Sequence, residues 1–173
     1  MADSEDKLID HMKELWAGNV QFYIKAHGFH INVEGHKFYE IHKMFQKIYE
    51  FYQGEIDTLG EAIRTLDEVV PASMKRIEEL SEIKDEKEVP DYVGMYKILW
   101  EDIETLRDRA GKAFRRADDE QRYGLQNILA DYLQQCEKFQ WMLNASSKEV
   151  DSHKEDDTDA AGDKQGKWEP QKL

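Results

Sequence analysis

Apolar residues recur every three or four positions along four long stretches of this chain, and no stretch alternates as a strand would. The first stretch runs from about Ser4 to Ile31 and carries Leu8, Met12, Trp16, Val20 and Tyr23, with His27 and His30 continuing the same spacing. A short break at Asn32-Val33-Glu34-Gly35 is long enough to fold a second helix back against it. That second stretch starts near His36 and presents Phe38, Ile41, Phe45, Ile48, Tyr52, Ile56, Leu59, Ile63 and Leu66 on one face. Val69-Val70-Pro71 ends it, because a proline pushes the preceding residue out of helical geometry.

A longer connection spans about Asp67 to Pro90, and Pro71–Leu80 within it reads as a short helix with proline in its first turn. The third long helix is predicted from Asp91 to about Arg116, with Tyr92, Met95, Leu99, Ile103, Leu106 and Ala110 on one face. The fourth runs from roughly Asp119 to Ala145, with Leu125, Leu129, Tyr132, Cys136, Phe139 and Leu143. The pattern predicts an all-α four-helix bundle over residues 1–146, made of two helical hairpins joined by a crossover. Residues 147–173 carry eight acids and five bases with little to bury, and their composition predicts a disordered acidic tail.

Composition narrows the function classes. The 173 residues include 37 acids and 24 bases, a formal charge of −13. A field of that sign repels phosphate backbones and argues against nucleic-acid coating. Cys136 is the single cysteine, so neither an intrachain disulfide nor a thiolate cluster can form. No apolar run approaches the length needed to span a bilayer, and the acidic Met1–Asp6 lacks signal-peptide features. A cytoplasmic location is expected.

Chemistry concentrates in the first hairpin. Five of six histidines, His11, His27, His30, His36 and His42, fall in the first 42 residues. On the second helix, taking His42 as zero, Gln46 lies at about 40°, Asp57 at about 60° and Glu61 at about 100°. These four share one sector, well away from the apolar stripe, so they form a solvated face or one side of an interface between chains. Imidazole and carboxylate together suit ferrous iron, manganese or zinc. A surface histidine and two solvated acids account for the same pattern, and a core histidine is the simpler reading of His27. The Glu-x-x-His pairs of a di-iron site inside a bundle are absent, so any iron site has to be built otherwise, for example between chains.

The run His27-Gly28-Phe29-His30-Ile31-Asn32-Val33-Glu34-Gly35, followed by His42 and by Asp57-Thr58-Leu59-Gly60-Glu61, resembles the Dps family of mini-ferritins. The spacings from His30 to His42, His42 to Asp57 and Asp57 to Glu61 are twelve, fifteen and four, as in that family. Glu137-Lys138-Phe139-Gln140-Trp141-Met142-Leu143-Asn144-Ala145 is similar to the ending of the family's fourth helix. The resemblance covers about residues 5–146.

It implies a ferritin-like bundle assembled as a hollow homo-dodecamer, with ferroxidase sites at two-fold interfaces. His30 and His42 of one chain and Asp57 and Glu61 of its neighbour would be the catalytic and metal-binding residues, oxidising Fe(II) with hydrogen peroxide or O2 and storing Fe(III) inside. Gln46 stands where many members have an aspartate for a second iron and is expected to bind it weakly. Asp131 matches an acidic position near the family's three-fold pore, with Asp118, Asp119 and Glu120 nearby. Ile31 replaces a usual tryptophan, Gly60-Glu61-Ala62-Ile63-Arg64 displaces an arginine, and Asp67-Glu68 replaces a double glycine. The basic extensions of DNA-binding members are missing. Lys164, Lys167, Trp168 and Lys172 form only a thin basic end, and DNA binding is not expected. The competing reading is an inactive shell or scaffold that uses its acidic tail for partners.

Overall fold

The computed structural model describes residues 7–156, with side chains through Ser147. Five helices appear in it: α1 (Leu8–Asn32), α2 (Phe38–Thr65), α3 (Met74–Leu80), α4 (Tyr92–Asp119) and α5 (Tyr123–Asp156). The described residues contain no strand. The hairpins α1–α2 and α4–α5 pack side by side, chiefly through α1 against α4, and α3 lies in the crossover against α1. This is the expected four-helix bundle with a short extra helix between its second and third long helices.

Local chemistry sets where the helices begin and end. Val33 N–H bonds back to the Phe29 carbonyl as α1 closes, and Gly35 takes φ +117°, a conformation that side chains resist. That one glycine lets α2 start five residues after Val33. Asp91 caps α4, its carboxylate accepting from Gly94 N–H at 2.8 Å. The helix in the crossover begins at Met74, three residues after Pro71, with Ser73 as its extended N-cap. α5 passes the expected end at Ala145 and continues to Asp156, since no glycine or proline interrupts residues 125–161. The rest of the predicted tail, 157–173, lies outside the described residues.

The core is aliphatic and aromatic, with Met12, Leu15, Phe22, Phe45, Ile48, Leu59, Ile63 and Leu99 fully enclosed. At mid-bundle sits a small polar knot. Asn19 donates from Nδ2 to the Tyr52 carbonyl at 2.8 Å and accepts the Tyr132 hydroxyl at 3.1 Å, while the Tyr52 hydroxyl lies 3.4 Å from Cys136 Sγ. Burial pushes the Cys136 thiol up to about 12, so it stays protonated. None of the side chains in this knot is a carboxylate or an imidazole.

Candidate metal centre

The hairpin turn brings the last turn of α1 beside the second turn of α2, and there His30 and His42 meet. His30 Nδ1 lies 2.9 Å from the His42 carbonyl, and His42 Nδ1 lies 2.9 Å from the His30 carbonyl. A carbonyl can only accept, so each Nδ1 carries a proton and donates it. In the neutral ring this leaves the lone pair on Nε2, the form that binds a metal. The rings stack at 3.8 Å between centroids. His30 is 9% exposed, and burial pulls its pKa below 6.5, favouring the neutral form at pH 7.

Aromatic side chains wrap this pair. Phe38 lies 4.9 Å from His42, and Tyr49 packs against His30 at 4.9 Å and against His27 at 4.4 Å. His27 is half-buried between Tyr49 and Tyr23, and so is not the enclosed core histidine its spacing suggested. Tyr49 was not anticipated. The available signal was its position seven residues after His42, two turns along the same helical face.

Asp57 and Glu61 are both exposed and lie elsewhere. They line a surface cavity of about 860 Å3 together with Trp16, Tyr23, Gly60, Arg64 and Val70. Trp16 Nε1 donates to the Ile56 carbonyl at 2.8 Å, and a Cβ on Gly60 would come within 3.2 Å of that nitrogen. Glycine at 60 therefore leaves room for the indole nitrogen to reach α2, in the wall of the same cavity as the two carboxylates. Arg64, displaced relative to the family pattern, donates from Nη1 to the Glu68 carbonyl beyond the end of α2.

Fifteen residues of α2 separate Asp57 from His42, about 22 Å along the axis. One protomer thus holds two halves, a pair of nitrogen donors and a pair of oxygen donors, too far apart to share an ion. Among the described residues no three His, Cys, Asp or Glu side chains converge to hold a metal.

The remaining candidates are dispersed. Gln46 donates from Nε2 to Glu50 Oε1 at 2.7 Å, and its Oε1 accepts from Lys43 Nζ at 3.2 Å. Asp131 is exposed on α5 near Glu55 of α2, whose pKa is raised first by burial and then by the Asp131 charge. Asp118 accepts from Gln126 at 2.9 Å, Asp119 from Arg116 at 3.3 Å, and Glu120 lies 3.9 Å from Arg122 Nε. These three behave as solvated acids of the α4–α5 turn. Ile31 is exposed and His36 lies at the hairpin turn. His11 is buried far away near the start of α1, taking a hydrogen bond from Arg109 at 2.8 Å. Lys164, Lys167, Trp168 and Lys172 lie outside the described residues. No helix among the described residues is long and apolar enough to cross a membrane.

Comparison with known proteins agrees with this architecture. A family model described as a ferritin-like domain matches residues 9–151. The DNA protection during starvation protein of Brevibacillus brevis is 30% identical over 133 residues, which cover 73% of this chain and 85% of that protein. The crystal structure of a Dps protein from Vibrio cholerae O1 superposes with a TM-score of 0.76 at 29% identity, covering 80% of this chain and 87% of that one. It is described as a member of a broad superfamily of ferritin-like diiron-carboxylate proteins. Antigen TpF1 from Treponema pallidum gives a TM-score of 0.79 at 26% identity, covering 86% of this chain and 97% of that one. The bundle, the crossover helix and the matched segment together make this chain a member of the ferritin-like family, within its Dps branch.

Proposed function

We propose that the protein is an iron-storing mini-ferritin that oxidises Fe(II) where two copies meet, with hydrogen peroxide or O2 as oxidant. His30 and His42 of one chain and Asp57 and Glu61 of the next bind the ferrous substrate, and the product Fe(III) passes into the hollow of a dodecamer. One observation carries the reading. The nitrogen pair sits across the α1–α2 turn and the oxygen pair lies about 22 Å farther along α2, so neither half can complete the other within a chain. A two-fold axis between antiparallel copies of α2 supplies each half with its missing complement.

The donor set suits the substrate. Imidazole nitrogens with two carboxylates accommodate ferrous iron and keep open positions for an oxidant. The fixed Nδ1–H bonds hold both imidazoles in the metal-binding tautomer before iron arrives. The chain's −13 charge favours ferrous ions near the surface and disfavours DNA. Asp131 contributes to that field near the entry route. The single cysteine, which can form no intrachain disulfide, fits a reducing cytoplasm.

Anaerobic ferrous titration followed by peroxide tests the reading, alongside solution mass. The expected result is saturable binding, fast ferric absorbance and a particle of about 240 kDa, twelve times the 20.4 kDa chain. His30→Ala and Asp57→Ala should each abolish the fast phase with helix content unchanged. Oxidation at the parent rate in either variant overturns the site assignment. A protein without saturable ferrous binding is the inactive shell or scaffold, and displacement of iron by manganese or zinc identifies a different metal.

A further inference from the structure

We infer that the contiguous aromatic rings running from His42 to Tyr23 are an electron relay joining the two halves of the protomer, with Tyr49 as its redox-active member. The inference rests on the interfacial iron sites proposed above. Centroid separations along the column are 3.8 Å from His42 to His30, 4.9 Å from His30 to Tyr49, 4.4 Å from Tyr49 to His27 and 5.8 Å from His27 to Tyr23. Tyr49 also reaches Tyr23 directly at 6.4 Å. Every step is a ring in contact or near contact with the next. At its far end Tyr23 forms part of the wall of the cavity that holds Asp57 and Glu61, beside Trp16.

The column therefore starts on the nitrogen donors of one interfacial site and ends at the oxygen donors of another. In a two-fold pair each chain contributes histidines to one site and carboxylates to the second, so each column spans both sites. The rings along it fit electron transfer. Imidazole is hard to oxidise and serves as the bridge, whereas the phenols of Tyr49 and Tyr23 and the indole of Trp16 can each lose an electron. Ile31, exposed and aliphatic, offers no such function next to His30.

A relay answers a stoichiometric problem set by Gln46. Its amide is already engaged by Lys43 and Glu50 and is a weaker ligand than a carboxylate, so each site holds one ferrous ion tightly and a second only loosely. Peroxide needs two electrons and two protons to become two waters. The ferrous ion beside it supplies one electron, with one proton from solvent, and Tyr49 supplies the second electron together with its phenolic proton. The second site's ferrous ion then returns an electron to Tyr49 through Tyr23, and a second solvent proton restores the phenol. Two ferrous ions become two ferric ions, one peroxide and two solvent protons become two waters, and no hydroxyl radical is released.

The test uses the full-length protein loaded anaerobically with ferrous iron and mixed with half an equivalent of peroxide. Rapid-freeze electron paramagnetic resonance should show a transient tyrosyl radical in the parent. Tyr49→Phe, which keeps the ring packing, should lose that signal and slow ferrous oxidation roughly tenfold while binding iron normally. Tyr23→Phe should keep the signal and lengthen its lifetime, because refilling is interrupted. Normal iron binding with no radical in the parent, or an unchanged signal in Tyr49→Phe, overturns the relay alone. Absence of saturable iron binding in the parent overturns the proposed function and the relay with it.

Discussion

His30 and His42 hold each other in place, each donating its Nδ1 proton to the other's backbone carbonyl at 2.9 Å across the α1–α2 turn. The bonds are reciprocal, so the two rings form one unit in which each carbonyl orients the other residue's ring. The His30 carbonyl belongs to the last turn of α1, where helix geometry leaves acceptors without an intrahelical donor. The pairing satisfies that carbonyl and aligns the two proposed metal ligands together.

A double-mutant cycle on this pair should be strongly non-additive. His30→Ala or His42→Ala alone is expected to weaken ferrous binding by about 10–100-fold or more, and the double variant by little beyond either. Calorimetric titration with ferrous iron under anaerobic conditions measures it. Additive losses would mean that the two rings bind independently.

Restoring a carboxylate at position 46 should add iron. Gln46→Asp places a charged oxygen one helical turn from His42, in the sector that also holds Asp57 and Glu61 on the same helix. Ferrous titration is expected to move from one ion per site towards two, and fast oxidation by peroxide should cease to depend on Tyr49. Unchanged stoichiometry would show that the position is too far from the bound ion.

Acid stability should depend on His11. This ring is buried and accepts from Arg109, which in turn pairs with Glu14 and Glu82. Burial chiefly, and then the Arg109 charge, lowers its pKa from 6.5, with Lys112 adding to the shift and Glu14 and Asp10 opposing it. The unfolded chain therefore takes up the proton first. The contribution of this histidine is complete above 6.5 and is lost as pH falls through its lower folded value. His11→Gln retains an acceptor for Arg109 without the titration. Its melting temperature should fall less than the parent's between about pH 7.5 and about pH 5.

The end of α2 stores a small strain. Asp67 follows the Leu66 cap with φ +60°, the left-handed position that glycine occupies most easily. Asp67→Gly should stabilise the protein by about 1 kcal/mol, read as a rise in melting temperature with oxidation rate unchanged.

The sequence by itself determined the bundle, because a helix with apolar residues every three or four positions can bury them only against other helices. Local periodicity likewise placed His42, Asp57 and Glu61 on one face of α2, and it located the hairpin turn at Asn32–Gly35. Helix ends were less legible. α5 outran its expected end because its apolar stripe stops before its helix-compatible sequence does. Contacts between elements were decided only by the tertiary structure. No pattern along the chain says that His30 and His42 bond to each other's carbonyls, that Tyr49 fills the space beside His27, or that Trp16 packs against Gly60. Each of those depends on how far α1 and α2 stand apart and how they are rotated. Side-chain packing over the whole core sets that geometry, and a one-dimensional period carries no record of it.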